Sequence, residues 1–184
     1  MPAIPLPDPE LADGVIRLRS PRPADVPAIT AACQDPLIQR FTFVPPNYTE
    51  AHARDWVGSE PLARERGEAL SLVIAPAGGD EVLGTVGLLR PDWLHRTAEI
   101  GYWVAPSARG RGAATRAVAL LAPWALRTLR LQRLSADVDV DNDASQRVAQ
   151  RAGFVREGVL RSAIEAKGRR WSLVVHSLLP EDLA

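Results

Sequence analysis

The segment Tyr102–Leu126, YWVAPSARGRGAATRAVALLAPWAL, places a glycine-arginine turn between an apolar run and an alanine- and leucine-rich helix. The N–H groups of a first helical turn have no partner within the helix, and the helix dipole attracts anions to them. Small residues keep that backbone accessible, and the arginines add charge at the rim. The segment therefore predicts a pyrophosphate cradle, with a simple polar turn as the alternative. Its residues are Arg109, Gly110, Arg111, Gly112, Ala113 and Ala114.

Two common phosphate-binding motifs do not fit this turn. GRGAAT lacks the third glycine of the dinucleotide fingerprint, and no G-K-[ST] follows as a P-loop requires. An arginine-glycine tract for RNA would need repeats, which the sequence lacks. We therefore expect an anion site of another kind.

Composition limits the remaining possibilities. The chain has 184 residues and equal numbers of basic and acidic side chains, so we expect one domain and neither nucleic acid nor membrane as a partner. Cys33 is the only cysteine, and the three histidines lie far apart, so no disulfide or metal site is predicted. The sequence shows neither a signal-peptide pattern nor an apolar run of about 18 residues. We expect a soluble, cytoplasmic protein.

The hydrophobic pattern predicts a mixed α/β fold with a largely antiparallel sheet. The predicted order is a strand in VIRLRS, two helices, three strands, a helix over 112–129, a strand in RLSADVDV, a helix in NDASQRVAQRAGF and a closing strand pair. We expect Pro36 to close the first helix, and Thr49 to cap the second. Residues 1–14 are predicted to form a proline-rich arm, 15–178 the domain, and 179–184 a tail.

Three motifs in order resemble the GNAT N-acetyltransferase superfamily. Arg109-x-x-Gly112-x-Ala114 is similar to its acyl-CoA loop, [QR]-x-x-G-x-[GA]. The strand EIGYWV precedes the loop, and NDASQRVAQRAGF is similar to the family segment that begins with asparagine and ends in Gly-Phe. AEIGYWV in particular resembles the ribosomal-protein N-terminal acetyltransferases of the RimJ/RimL type. The resemblance runs from about residue 15 to residue 178.

The resemblance implies a GNAT fold, in which helices flank the central sheet and acyl-CoA enters a splay after the fourth strand. It implies that the Val104 N–H stabilises the developing oxyanion. The residues expected to contact acetyl-CoA are Trp103, Val104, the loop from Arg109 to Ala114, Asn142 and Ser145. No metal is implied.

Candidate proton-transfer groups follow from the chemistry of acyl transfer to an amine. Glu99 is the candidate base, with a salt-bridged glutamate and a water carrying the proton as the alternative. The family's tyrosine acid is replaced by Ala149, so Ser145 is the candidate donor to the leaving thiolate; a serine satisfying the helix backbone is the alternative. Where many relatives carry a glutamate after the loop, this chain has Arg116, which could bind a CoA phosphate.

The sequence therefore predicts an acetyl-CoA-dependent N-acetyltransferase acting on a protein or peptide α-amine. Two alternatives remain: a small-amine acetyltransferase, for an antibiotic, polyamine or amino acid, and a non-catalytic acyl-CoA-binding module. Tyr48, Trp56, Trp93 and Trp103 could wall the acceptor cleft. Another acyl group, such as succinyl, stays open, as does the oligomeric state, with a homodimer as one alternative.

Overall fold

The computed structural model describes residues 1–183, which form one eight-stranded sheet flanked by five helices. The strand order is β1-β2-β3-β4-β5-β6-β8-β7, and every neighbouring pair is antiparallel except β5–β6. The strands are β1 (Leu11–Ala12), β2 (Ile16–Arg19), β3 (Ala69–Pro76), β4 (Gly84–Asp92), β5 (Thr97–Val104), β6 (Arg133–Asp139), β7 (Val155–Ala166) and β8 (Arg169–Leu178). The helices are α1 (Val26–Ala32), α2 (Pro36–Phe41), α3 (Glu50–Glu65), α4 (Ala113–Thr128) and α5 (Asp143–Arg151). The predicted mixed, mostly antiparallel α/β fold is confirmed.

Alternation of apolar and polar residues forms the strands as predicted. In β6, Leu134, Ala136 and Val138 are buried, while Ser135 and Asp137 project from the opposite face. The apolar face of the sheet packs against α4, whose alanines allow a close approach. The buried residues of that helix are Ala113, Ala117, Val118, Leu121, Ala122, Ala125 and Leu126.

The sheet opens between its two parallel strands. Strands β5 and β6 pair only at Thr97–Arg133, Ala98–Leu134 and Glu99–Ser135. Beyond Glu99 the rest of β5 has no partner on that side. The splay predicted after the fourth strand is therefore present. That strand is numbered β5 in the structure, because the short strand β1 at the sheet edge adds one strand to the count.

Helices α1 to α3 cover the opposite face, and Pro36 has a different place there from the one predicted. It begins α2 and does not close α1, which ends at Ala32. Proline suits the first helical position because its missing N–H would have no partner there. Asp35 caps α2 by accepting hydrogen bonds from the N–H groups of Leu37 and Ile38. The predicted cap at Thr49 is confirmed by its hydrogen bond from the His52 N–H.

The N-terminal segment has neither helix nor strand before Leu11, yet it contacts the body of the protein. Ile4 is fully buried, and its N–H donates to the carbonyl oxygen of Arg64 at 2.9 Å. At the other end, Leu183 packs against the main core. The boundaries 1–14, 15–178 and 179–184 stay a prediction.

Candidate active site

The splay exposes main-chain groups of β5. The Ala105 N–H donates to the Leu83 carbonyl oxygen at 2.8 Å, on the side of β4. Main-chain groups of successive residues point to opposite sides of a strand. The N–H and C=O groups of Val104 and Tyr102 therefore point into the gap left by β6. This is the direction that the predicted oxyanion role of Val104 requires.

The glycine-arginine turn has the shape of an anion cradle. Gly110 and Gly112 have φ angles of +75° and +77°, a left-handed conformation that favours glycine. Gly112 is the N-cap of α4, and a Cβ added at either glycine would meet no atom within 4 Å. The backbone therefore borders open space at the positive end of a 16-residue helix.

A groove of about 540 Å³ runs from this turn to α5. The predicted cofactor-contacting residues line it, except Arg111; they are Trp103, Val104, Arg109, Gly110, Gly112, Ala113, Ala114, Asn142 and Ser145. Arg147 and Arg151 also line the groove, one helical turn apart on α5, and were not predicted as site residues. The pattern R-x-x-x-R on the helix after Asn142 was the available signal.

Arg109 and Arg116, on either side of Gly112, are paired with acids. Arg109 donates to both carboxylate oxygens of Asp35, at 2.5 and 3.2 Å, and these hydrogen bonds lower the pKa of Asp35 below its ordinary value. Arg116 donates to Asp13 at 2.7 Å. Asp35 therefore balances the charge of Arg109 at the groove, and the structure pairs Arg116 with the turn between β1 and β2.

A larger cleft of about 1040 Å³ lies on the face covered by α1 to α3. Its walls are rich in aromatic rings: Phe41, Phe43, Tyr48, Trp56, Trp103 and Trp171. Trp93, predicted as another wall residue, does not line it, because its indole N–H donates to the Gly67 carbonyl oxygen. The groove and the cleft share Phe41, Thr42, Tyr102, Trp103, Asn142 and Ser145. This junction is where two substrates could meet.

A hydroxyl pair stands at the junction. The Tyr102 hydroxyl lies 2.8 Å from the Ser145 Oγ and donates to the Ser145 carbonyl oxygen at 3.1 Å. The Asn142 Oδ1 accepts from the Ser145 N–H, which fixes the start of α5. Burial raises the pKa of Tyr102 to about 12 despite the opposing effect of Ser145, so Tyr102 keeps its proton at neutral pH. Sequence reasoning missed Tyr102, although EIGYWV contains it.

Carboxylates occupy the floor of the cleft. Glu99, the candidate base, lies there in an ion pair with Arg90 and with 15% of its side chain exposed, so its geometry is that of the salt-bridged alternative. Asp137, one strand away, also lines the floor and was not predicted as a site residue. His95 is in the turn after β4, where its N–H donates to Asp92.

The β7–β8 hairpin closes one end of the cleft. Its turn residue Lys167 donates to the main-chain carbonyl oxygens of Gln39, Thr42 and Val44. Nearby, the rings of Phe43 and Trp171 stack with centroids 6.0 Å apart and planes 7° apart. Both aromatic residues line the cleft, so the hairpin helps to shape its wall.

Residues 1–183 lack the features of two other classes of site. No group of three or more His, Cys, Asp or Glu side chains in this range is arranged to hold a metal ion. No helix in the same range combines the length and apolar character needed to cross a membrane.

A splayed sheet, an anion cradle at a helix start and a second cleft meeting the first define the architecture of an acyl-CoA-dependent N-acetyltransferase. The sequence profile of the GNAT acetyltransferase domain matches residues 16–155. The uncharacterized N-acetyltransferase p20 of Bacillus licheniformis is 30% identical over 169 residues, which cover 92% of this chain and 95% of that protein. The chain therefore belongs to the GNAT acetyltransferase family and is an N-acetyltransferase.

Other relatives differ in the acceptor that their names give. The ribosomal-protein-serine acetyltransferase of Escherichia coli (strain K12) is 34% identical over 115 residues, 62% of this chain and 63% of that protein. The spermidine N(1)-acetyltransferase of the same strain is 30% identical over 106 residues, 55% and 57% of the two chains. The first of these supports the predicted RimJ/RimL-like subfamily.

Solved structures share the fold over nearly the whole chain. RimL, a ribosomal L7/L12 alpha-N-protein acetyltransferase in complex with coenzyme A, gives a TM-score of 0.81 at 24% identity, covering 96% of this chain and 97% of its own. A GNAT acetyltransferase from Bacillus anthracis gives 0.83 at 20% identity, covering 94% and 99%. The predicted GNAT fold is confirmed.

Proposed function

We propose that this N-acetyltransferase transfers an acetyl group from acetyl-CoA to the N-terminal α-amine of a protein or peptide. The observation that carries this proposal is the junction of groove and cleft, which is lined by Tyr102, Trp103, Asn142 and Ser145. The ribosomal-protein-serine acetyltransferase among the relatives supports a protein as the acceptor. An α-amine has a pKa of about 8, so it loses its proton more readily at neutral pH than a lysine does.

The groove supports acetyl-CoA as the donor. The open backbone at Gly110 and Gly112 fits a pyrophosphate, and Arg147 and Arg151 supply cations along the same groove. The free main chain of β5 would hold the extended pantetheine arm, because its donors and acceptors lack a strand partner there. The thioester would then lie beside the Val104 N–H.

Residues at the junction support the chemistry. The Val104 N–H would stabilise the oxyanion as the amine attacks the thioester carbonyl. Ser145, hydrogen-bonded to the Tyr102 hydroxyl, would donate a proton to the leaving thiolate. Ala149 stands at the position of the family's tyrosine and is fully buried in the core. An alanine has no proton to donate, so this position supplies no acid. We propose that Glu99 or a neighbouring carboxylate accepts the amine proton.

The cleft also supports a second candidate, a small polyamine acceptor. Four carboxylates line it, Asp55, Glu99, Asp137 and Asp139, and acidic groups attract a polycation. The spermidine acetyltransferase among the relatives points the same way. Three arginines reduce this attraction, because Arg90 pairs with Glu99, and Arg169 with Asp139, while Arg133 lies nearby. We therefore favour the α-amine.

Release of the CoA thiol, measured over a panel of amines, tests the proposal. The panel should hold peptides with free α-amines, the same peptides with blocked N-termini, spermidine and an aminoglycoside. We expect turnover of the free peptides, no turnover of the blocked ones, and acetylation at the α-nitrogen by mass spectrometry. Good turnover of spermidine with none of any peptide would move the assignment to the second candidate. Turnover of any amine excludes the non-catalytic binding module.

A further inference from the structure

Asp137 occupies the place on the cleft floor where the splay begins. The last residue pair between β5 and β6 joins Glu99 to Ser135, and Asp137 follows two residues later on the same face of β6. It lines the acceptor cleft, whereas Leu134 faces the core. Its carboxylate therefore stands beside the free main chain of β5.

The carboxylates next to Asp137 in the sheet are paired. Glu99 pairs with Arg90, and Asp139 accepts from Arg169 at 2.8 Å. Glu157 accepts two hydrogen bonds from Arg133, at 2.7 and 2.6 Å. The Asp137 Oδ1, in contrast, is buried and has no hydrogen-bond partner among the residues described.

An unpaired, buried carboxylate oxygen is costly, and a protein that retains one at a reaction site gains a ready proton acceptor. Burial raises the pKa of Asp137 above its ordinary value, although Arg90, Arg133 and Ser135 act to lower it and Glu157 adds to the rise. A base whose pKa lies closer to the working pH is also the more effective one. The charged groups facing Asp137 are Arg90 from β4, Glu99 from β5, Arg133 from β6 and Glu157 from β7.

We propose that Asp137 is the carboxylate that takes the proton from the acceptor amine, while Glu99 holds Arg90 in place. This inference rests on the N-acetyltransferase function proposed above. The ammonium gives one proton to Asp137, and the neutral nitrogen forms the C–N bond as the C–S bond breaks. As the amide forms, the Ser145 hydroxyl gives its proton to the thiolate and takes up the second proton of the nitrogen, so that the one proton left over is the one on Asp137.

A smaller cavity provides a route by which Asp137 can release its proton away from the cleft. It has a volume of about 260 Å³ and shares Arg90, Glu99 and Asp137 with the acceptor cleft. Its other lining residues are Thr97, Ala98, Arg133 and Ser135. Asp137 thus borders both cavities, and it can receive a proton on the cleft side and release it on the other.

The test compares pH–rate profiles of the wild type, Asp137→Asn and Glu99→Gln, with the same peptide amine. We expect Asp137→Asn to lower kcat/KM about 10²- to 10³-fold near pH 7, with partial recovery toward pH 9 as more of the amine is neutral. Acetyl-CoA affinity should stay within about twofold, and Glu99→Gln should lose less than about tenfold. An Asp137→Asn profile within about twofold of wild type from pH 6 to pH 9 would overturn the inference. A larger loss in Glu99→Gln would assign the proton to Glu99 instead.

Thermal stability distinguishes the proposed role of Asp137 from a purely structural one. Removing a purely structural aspartate would lower Tm, whereas removing a carboxylate that is costly to bury should raise it. A carboxyl group with a raised folded-state pKa costs stability above that pKa, and the cost disappears below its unfolded value. Asp137→Asn should therefore raise Tm near pH 8 and match wild type near pH 3. A lower Tm at pH 8 together with lost activity would overturn the catalytic role.

Asp25→Asn is the matched control for that measurement, because Asp25 lines neither the cleft nor the groove. Burial would raise the pKa of Asp25, but hydrogen bonds from Arg19 and from the Arg22 N–H hold it below the ordinary value, so its charge stabilises the fold above its unfolded pKa. This variant should have a lower Tm near pH 8 and, where it is folded, activity within about twofold of wild type. All rates should be measured with the best amine of the panel, so that a non-peptide acceptor would overturn the proposed function while Asp137 is still tested.

Discussion

The Nζ of Lys167 lies 2.8 Å from the carbonyl oxygen of Thr42 and 2.5 Å from that of Val44. Lys167 is the only lysine of the chain and sits in the turn between β7 and β8. Its acceptors belong to the segment that ends α2 and forms a wall of the acceptor cleft. The Lys167 ammonium group thus joins the hairpin to the opposite wall of the cleft, and each of its three N–H groups has a carbonyl acceptor.

Replacing this group should affect the acceptor and not the donor. We expect Lys167→Met to raise the KM for the acceptor about tenfold, because charged hydrogen bonds of about 1.5–3 kcal/mol hold the wall in place. Acetyl-CoA affinity should be unchanged. Arg170→Met is the control, since Arg170 bonds to Ser162 within the hairpin. Equal acceptor KM values in Lys167→Met and wild type would show that the contact does not shape the cleft.

Amine labelling gives an independent measurement of the same contact. An amine-directed reagent can modify only Lys167 and the chain's α-amino group, so the labelled peptide reports opening of the hairpin. A saturating N-acetylated peptide, which has no free α-amine to consume the reagent, should slow the labelling of Lys167. Labelling at the same rate with and without this peptide would show that peptide binding does not restrict opening of the hairpin.

Gly112 tests the anion cradle. Gly112→Val should weaken acetyl-CoA binding by at least about tenfold, because a side chain would project into the space open to the pyrophosphate. Isothermal titration calorimetry measures this directly. Gly14→Val is a matched control, since Gly14 has a φ of +84° with nothing within 4 Å of an added Cβ, so it carries the same backbone strain. Wild-type affinity in a folded Gly112→Val protein would contradict the cradle.

The hydroxyl pair should affect the chemical step. Ser145→Ala should lower kcat about 10²-fold with little change in acetyl-CoA affinity, since a general acid acts on the leaving thiolate. Tyr102→Phe should lower kcat less, because Ser145 stays in place. With the pKa of Tyr102 near 12, its ionisation should leave no inflection in the kcat profile between about pH 6 and pH 10. If Ser145→Ala retains full kcat under single-turnover conditions, the serine serves only the helix backbone.

A buried ion pair away from the site should control stability alone. Arg19 donates to both oxygens of Asp25, at 2.8 and 2.7 Å, and is 1% exposed. Asp25→Ala should cost about 3 kcal/mol of unfolding free energy, at the lower end for a broken buried pair, because the buried guanidinium keeps only the more distant Asp80 carboxylate, 3.6 Å from its Nε. Urea unfolding monitored by circular dichroism measures this. Full kcat at a temperature where the variant is folded would confirm that the pair is remote from catalysis.

The pH dependence of that pair has a definite sign. Burial alone would raise the pKa of Asp25, but hydrogen bonds from Arg19 and from the Arg22 N–H hold it below the ordinary value. The stabilisation is therefore present above the unfolded pKa of Asp and lost as the pH falls through the folded one. The stability difference between wild type and Asp25→Ala should shrink in acid. A constant difference down to about pH 2 would contradict a salt-bridged carboxylate.

The sequence predicted those features that local patterns encode. Strands such as β6 alternate regularly, and the glycine-arginine turn combines small residues with a helix start. Helix α2 was missed because six residues carry too little periodicity, and Pro36 is compatible both with ending one helix and with beginning the next.

Contacts between distant segments could not be predicted in this way. Alternation marks Asp137 as a polar residue on the second face of β6, and only the packing of α1 to α3 turns that face into a cleft. The Tyr102–Ser145 contact joins residues 43 positions apart across the splay. The acceptors of Lys167 are main-chain carbonyl oxygens, which every residue possesses and which therefore leave no mark in the sequence.

The three residue pairs between β5 and β6 divide the sheet into two blocks, β1–β5 and β6–β8. A molecule in the splay would touch Trp103 and Val104 of the first block and, beside the second, Asn142 and Ser145. Bound acetyl-CoA would thus bridge the two blocks and restrict their relative motion. Amide hydrogen exchange should slow in both blocks on binding, including strands that never contact the ligand. The substrate would then be, while it is bound, a structural member of the enzyme that consumes it.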